Sequence, residues 1–196
     1  VYEDADVYAF VKNNGGKVAV YKENLYKPMP GYRFIASNTD RSKYYVGELN
    51  GRSSKQAYMD ALHISESNII NQTFHNPLGK MNGQDICIIS LKEVSGNGLC
   101  CYRQVNDSDV LVLLEEQDYN EILDETLQRI RRDFNHISGV FSINCVFRYL
   151  LFSQEHHMED YLKTMSTLGD HAGLIGLGEH YNQQFVNQTM TCVVFE

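Results

Sequence analysis

Residues 85–114 read DICIISLKEVSGNGLCCYRQVNDSDVLVLL, and their pattern is the clearest indication of the fold class in the sequence. It predicts three strands, at Asp85–Val94, Leu99–Val105 and Asp109–Leu114. The first two are joined by the turn Ser95-Gly96-Asn97-Gly98. Strands that follow one another through such short connections pair antiparallel. The run Val110–Leu114 is apolar throughout, which indicates a strand covered on both faces.

Towards the N-terminus, the same turn chemistry predicts more strands. Asp6–Val11 and Lys17–Tyr21 flank Asn13-Asn14-Gly15-Gly16, a hairpin signal because Asn and Gly tolerate positive φ. A third strand is expected around Tyr32–Ala36. The polar stretch Ser37–Lys43 is the best candidate for a domain boundary. We therefore expect residues 1–43 to end one unit and residues 44–196 to form the next.

Beyond that boundary, Tyr44–Leu49 is predicted to be a strand and Ser53–Leu62 a helix. The polar, Asn-rich segment Glu66–Gly83 is predicted to be a loop. Asp118 is predicted to begin a helix, because six apolar residues from Tyr119 to Phe134 recur at helical spacing.

The C-terminal third is predicted to hold one more helix, at Glu155–Leu168. Strands are expected at Ser138–Asn144, running on into Cys145–Phe152, then at Ala172–Leu177 and Phe185–Phe195, with a turn at Gly178–Gln183. The order of elements favours an α+β fold, a mostly antiparallel sheet with helices packed on it.

Composition and charge narrow the classes of function that the chain could have. The 196 residues carry 17 Lys+Arg against 25 Asp+Glu, a net charge of −8. This balance disfavours nonspecific binding to nucleic acid or anionic membrane. No run of ~18 apolar residues predicts a membrane span. The first residue is Val1, which suggests a piece of a longer protein, and five cysteines without a paired spacing suggest reduced thiols in the cytoplasm.

The sequence offers few candidates for catalysis. It lacks the common nucleophile-elbow, P-loop and zinc-protease motifs. Cys145 is a candidate nucleophile, because a nearby Arg148 would lower the pKa of its thiol. Four histidines, His156, His157, His171 and His180, would have to converge to hold a metal. A cysteine- or metal-dependent hydrolase is therefore one alternative, and buried thiols with unrelated histidines are the other.

Three motifs in order resemble a known family. Ser142-Ile143-Asn144-Cys145-Val146-Phe147-Arg148 is similar to a signature in which a strand ends in Asn-Cys and an Arg follows. Ile175-Gly176-Leu177-Gly178-Glu179, with Val186-Asn187-Gln188-Thr189 after it, is similar to a second signature. Residues 48–58 resemble the strand, turn and helix that open the domain. Together they resemble the C-terminal half of the FIST sensory module (F-box and intracellular signal transduction), with residues 1–43 as the tail of its N-terminal half.

The resemblance implies a non-catalytic sensory domain that binds a small, amino-acid-like molecule. It implies an output partner, such as a kinase, a cyclase or a chemotaxis transducer, and no resident metal. Some relatives are similar to haem proteins, so a haem-binding gas sensor is an alternative. The chain departs from the family pattern at Val146, Phe147, Leu177 and Val186. Where the family has small residues, Val146 and Phe147 are expected to alter or close the site.

The site implied by the resemblance centres on Arg148, Glu179 and Asn187. Arg148 would bind a carboxylate, Glu179 an ammonium group, and Asn187 either. We expect the three side chains to meet at the ends of neighbouring strands; the alternative is that Arg148 and Glu179 pair with each other or cap local backbone. The remaining site candidates are Asn144, Cys145, Gly176, Gly178 and Thr189.

Overall fold

The computed structural model describes residues 8–83 and 85–196, and over these residues the chain has the predicted α+β fold. Its strands are β1 (Val18–Asn24), β2 (Tyr26–Asp40), β3 (Tyr45–Leu49), β4 (Arg52–Ser53), β5 (Leu78–Asn82), β6 (Asp85–Ile89), β7 (Leu91–Ser95), β8 (Gly98–Cys101), β9 (Val110–Glu116), β10 (Gly139–Cys145), β11 (Asp170–Gly176), β12 (Glu179–Tyr181), β13 (Gln184–Val186) and β14 (Thr189–Phe195). Its helices are α1 (Ser54–Leu62), α2 (Ile69–Gln72), α3 (Tyr119–Asp133), α4 (Val146–Gln154) and α5 (Met158–Met165).

The larger sheet is antiparallel, in the order β6-β5-β9-β2-β3-β8-β7, with β4 paired to β3. Its two edge strands, β6 and β7, are consecutive in the chain and are separated by Ser90 alone. The sheet therefore curls until its edges approach each other. The central strand β9 buries Leu111, Leu113 and Leu114 completely, as the apolar run predicted.

The smaller sheet has the order β1-β14-β10-β11. β14 pairs antiparallel with β1 and with β10, but β10 and β11 are parallel. Helices α3 and α5 cover one face, where Leu127, Ile130, Val140, Tyr161 and Met165 share one core. Because β10 and β11 are parallel, their C-terminal ends lie side by side, with Cys145 opposite Gly176. This pair positions the candidate site.

Helix α3 begins where the sequence predicted. The side chain of Asp118 accepts hydrogen bonds from the backbone N–H groups of Asn120 (2.9 Å) and Glu121 (3.0 Å). It thereby satisfies two of the donors that a helix N-terminus leaves free. Helix α1 is capped in the same way by Ser53, which accepts from the Gln56 N–H.

Several predicted elements are wrong near the N-terminus. Residues 8–11 form no strand, and β1 pairs with β14 instead, so tertiary pairing overrides the local hairpin signal. The remainder of that predicted strand, Asp6 and Val7, lies outside the described residues. The predicted loop 66–83 contains α2 and β5. The boundary predicted after residue 43 falls in the turn between β2 and β3, and it stays a prediction.

Other corrections concern the C-terminal half. Cys145–Phe152 does not extend a strand; α4 begins at Val146, because Arg148, Leu151 and Phe152 are buried at helical spacing. Glu155–Leu168 is a shorter helix, α5, followed by a single tight turn. The predicted turn Gly178–Gln183 contains β12, and the predicted last strand is divided into β13 and β14 at Asn187-Gln188.

Candidate functional site

The predicted site lies where β10 and β11 end together. After Gly176, the chain turns at Leu177-Gly178 into the hairpin β12–β13. Gly178 has φ +128°, and a Cβ there would lie 2.8 Å from the ring of Phe185. Only glycine fits this combination of backbone angle and space. The hairpin then returns the chain to Asn187, beside the point where it left β11.

Glu179 is buried beside this turn, with 3% of its surface exposed. Its Oε2 accepts a hydrogen bond from Thr189 Oγ1 at 3.2 Å. Burial raises the pKa of this carboxyl to about 7, although the Thr189 hydroxyl and the Cys145 thiol both lower it. The other oxygen, Oε1, has no hydrogen-bond partner among the described residues. A carboxyl group poised near neutrality therefore lies next to Cys145.

Asn187 is also buried, at 7% exposure. Its Nδ2 has no hydrogen-bond acceptor among the described residues. Asn187 and Cys145 contribute to the wall of the same cavity, and the unpartnered Nδ2 lies buried within that wall.

That cavity has a volume of about 520 Å³ and lies between the curled sheet and the N-terminal turns of α4. Its volume falls within the ~300–1,000 Å³ usual for small-molecule sites. Most of its walls are apolar, and aromatic residues come from both sides. It is lined by Ile70, Phe74, Ser90, Leu91, Lys92, Tyr102, Cys145, Val146, Phe147, Leu150, Leu177, Phe185 and Asn187.

Val146 and Phe147 line the cavity and do not close it; that they alter the site relative to the family stays a prediction. Phe147 stands in the cavity wall, with its ring centroid 5.2 Å from that of Phe74 and 5.2 Å from that of Tyr102. These spacings are those of tilted and edge-to-face aromatic pairs. The large side chains therefore form part of the wall.

Arg148 is not among the lining residues of the cavity, and 1% of its surface is exposed, although its charge lowers the pKa of the Glu179 carboxyl. Its Nη2 forms an ion pair with Glu23, and its guanidinium carbon lies 4.6 Å and 5.5 Å from the ring centres of Phe152 and Tyr161. Arg148 therefore does not meet Asn187 in the cavity wall, nor does it pair with Glu179. The ion pair and the aromatic contacts stabilise the buried guanidinium, although its Nε and Nη1 have no hydrogen-bond partner among the described residues.

The eight predicted residues thus fall into two groups. Six lie around the strand ends and the hairpin base: Cys145, Gly176, Gly178, Glu179, Asn187 and Thr189. Asn144 and Arg148 lie on the helix-covered side, where Asn144 Nδ2 donates to the Tyr161 hydroxyl at 3.0 Å. For Asn144 and Cys145 the division follows from their consecutive positions on β10, since successive side chains of a strand point to opposite faces.

The curled sheet supplies residues that the motifs did not indicate, notably Ser90, Lys92 and Tyr102. The Ser90 hydroxyl accepts a hydrogen bond from Gln188 Nε2 at 2.8 Å. This bond connects the curled sheet to Val186-Asn187-Gln188-Thr189, the last part of the second signature. No spacing pattern marks these residues of the curled sheet, because they come from a strand edge about 50 positions before Cys145. Only the three-dimensional approach of the two sheets reveals them.

The candidate nucleophile is not activated. Burial and the neighbouring Glu179 raise the pKa of the Cys145 thiol, although the backbone N–H groups of Gln188, Phe147 and Arg148 oppose this. The sequence prediction of a lowered pKa beside Arg148 is wrong, because that guanidinium is turned towards Glu23. All five cysteines have free thiols.

The four histidines do not form a metal centre. Within residues 8–83 and 85–196, no three His, Cys, Asp or Glu side chains are grouped so that they could hold a metal ion. His157 packs against Phe152, His171 bonds Ser142 Oγ at 2.9 Å, and His180 packs against Phe185. The convergence that the hydrolase alternative requires is absent from this part of the chain.

The described wall of the cavity lacks a suitable axial ligand for haem iron. Histidine is a usual axial ligand of haem iron, and no described residue of the cavity wall is a histidine. The one sulfur ligand, Cys145, has a thiol whose pKa is raised, which opposes the thiolate that iron would need. These residues do not fit the group.

Comparison with known proteins agrees with the motifs. A family model described as the FIST C domain matches residues 55–182, which is more than half of the chain and includes the first signature and Glu179. No curated protein matches the chain, and neither does any solved structure. None of the described helices is long and apolar enough to cross a membrane. FIST C domains are sensory domains of signal-transduction proteins, and the chain belongs to this family.

Proposed function

We propose that this domain binds a small, amino-acid-like molecule in the 520 Å³ cavity and senses it without catalysis. The observation that carries the proposal is the cavity itself, a mostly apolar space of small-molecule size whose wall includes Asn187, a residue whose buried Nδ2 has no partner among the described residues. A buried, unpaired donor costs about 1–3 kcal/mol. A small rotation of the Asn187 side chain would bring Nδ2 to the cavity surface, where a ligand oxygen would remove this cost.

The mouth of the cavity supports the same function. Leu177 is 91% exposed there, and Leu150, Tyr102 and Phe185 are also exposed around it. A cluster of exposed apolar side chains around an opening is typical of a ligand site. An amino-acid-like molecule with an apolar side chain would cover part of this surface and place its polar groups among Lys92, Ser90 and Asn187.

The position of the cavity suits a sensor. Its walls come from the curled sheet on one side and from α4 and the β12–β13 hairpin on the other. A bound molecule would contact both, and so would favour one arrangement of the two parts. We propose that this arrangement is transmitted to a signalling partner in the cytoplasm, such as a kinase, a cyclase or a chemotaxis transducer.

The test is a thermal-shift screen of the 196-residue chain against amino acids and related metabolites. A ligand at about 100 times its Kd adds about 2.7 kcal/mol of stability. For a chain of this size, that raises Tm by about 5–10 °C. We expect at least one such molecule to produce this shift.

Two variants locate the binding. Leu177→Trp should fill the mouth and abolish the shift, and it should fold normally because Leu177 is exposed. Leu162→Trp is the matched control: Leu162 is 47% exposed on α5 and does not line the cavity. A flat screen would refute ligand sensing, and a shift that survives Leu177→Trp would refute this cavity.

A further inference from the structure

Lys92 occupies an irregular position at the cavity wall. In the pairing of β7 with β8, Leu91 lies opposite Cys101 and Glu93 lies opposite Cys100, so Lys92 is an extra residue on β7. Such a bulge turns a side chain away from its regular direction, and bulges are common beside binding sites. Lys92 is the one charged side chain in the cavity wall described here.

A second cation lies close to the mouth. Arg103 donates to the backbone oxygen of Phe185 at 2.9 Å, and its guanidinium carbon lies 5.8 Å from the centre of that ring. Within the described part of the chain, neither Lys92 nor Arg103 has a carboxylate within 4.0 Å. Two such cations at one opening stand out in a chain of net charge −8. The mouth therefore favours an anion.

The wall behind the mouth favours a flat apolar group. Phe147 is paired with both Phe74 and Tyr102 at 5.2 Å, so three rings surround one part of the space. A further aromatic ring would extend this cluster with the offset or edge-to-face contacts that such rings prefer.

We propose that the cavity recognises an aromatic carboxylate: the ring lies against Phe147, and the carboxylate is bound by Lys92 at the mouth. This rests on the proposed function and narrows it, because the carboxylate, and not the ammonium, is the group recognised in an amino-acid-like ligand. No described lining side chain is anionic. An ammonium group therefore gains no ion pair with a lining side chain, whereas a carboxylate gains one.

Four probes that share a phenol ring distinguish recognition of a carboxylate from recognition of an ammonium group. They are tyrosine, 3-(4-hydroxyphenyl)propionate, tyramine and 3-(4-hydroxyphenyl)propionamide. Their Kd values for the full chain are measured by calorimetry. We expect both carboxylates to bind about five-fold more tightly than the amine and the amide, which is the upper end for a solvent-accessible ion pair. Equal or tighter binding of tyramine would overturn the proposal.

Lys92→Met tests the assignment to one residue. The variant should bind the propionate about five-fold more weakly and the propionamide as before, while Lys12→Met, an exposed lysine outside the cavity, should change neither. A charge preference that survives Lys92→Met would overturn the role of Lys92. If no phenol probe binds although another metabolite shifts Tm, the aromatic carboxylate is wrong and the sensory function stands; if nothing shifts Tm, both fail.

Discussion

Glu179→Gln is the most informative single substitution for the buried site, because it removes a charge and keeps the shape. The carboxyl is 3% exposed, and burial raises its pKa from 4.5 to about 7. At 1.36 kcal/mol per pH unit, this shift corresponds to about 3 kcal/mol. The glutamine side chain keeps an oxygen that can accept the hydrogen bond from Thr189.

The direction of the pH dependence of stability follows from the difference in proton binding between the folded and unfolded states. Between pH 4.5 and pH 7 the folded protein holds a proton on Glu179 that the unfolded chain has released, so stability falls as pH rises. The stabilisation from the raised pKa is complete below pH 4.5 and is lost as pH passes 7. Relative to Glu179→Gln, the wild-type chain should therefore lose about 3 kcal/mol between pH 4.5 and pH 8.

Urea unfolding of both proteins at pH 5, 6, 7 and 8 measures this difference. The free energy of unfolding of the variant should exceed that of the wild type by an amount that grows with pH. Glu125→Gln, at an exposed position of α3, controls for the loss of one formal charge. A difference that stays constant from pH 5 to pH 8, or that shrinks, would refute a carboxyl held protonated by burial.

Three further predictions concern other parts of the chain. Arg148→Met should lower the free energy of unfolding by about 3–5 kcal/mol, because it leaves Glu23 charged, buried and without its partner. Adding Glu23→Gln should restore part of the lost stability, which urea titration measures. A loss below about 1 kcal/mol, as an exposed ion pair would give, would contradict this. Cys145 should react with iodoacetamide in the native protein far more slowly than after unfolding, since it is buried and the pKa of its thiol is raised; rapid native labelling, located by mass spectrometry, would contradict this. Asp118→Ala should cost about 1 kcal/mol through loss of the α3 cap, and an unchanged urea midpoint would show that the cap contributes little.

The sequence predicted best those elements that local chemistry determines. The apolar stripe and the Asp118 cap of α3 depend on neighbouring residues, and the structure has both. The continuous apolar run of β9 likewise reflects burial on both faces. Prediction failed where the pairing of a strand depends on a partner that is distant in the sequence. β1 follows a good hairpin turn yet pairs with β14, nearly the whole chain length away.

The parallel pair β10–β11 was missed for a related reason. Parallel neighbours need a crossover of a dozen or more residues, and here α4 and α5 supply it. Cys145–Phe152 was expected to continue a strand, because a short apolar run fits a buried strand and a buried helix equally. That one misassignment hid the crossover.

The two arginine–carboxylate possibilities considered from the sequence, a ligand carboxylate or Glu179, both left out Glu23. Glu23 stands 125 positions before Arg148, on a strand whose place in the sheet the sequence did not indicate. Once β1 lies beside β14 and β14 beside β10, Glu23 and Asn144 fall on the same face as the helices. The internal ion pair engages Nη2 of the guanidinium and accounts for the burial of Arg148. Whether a motif arginine meets an outside anion therefore depends on which internal carboxylates the fold brings to it, and the motif alone does not record them.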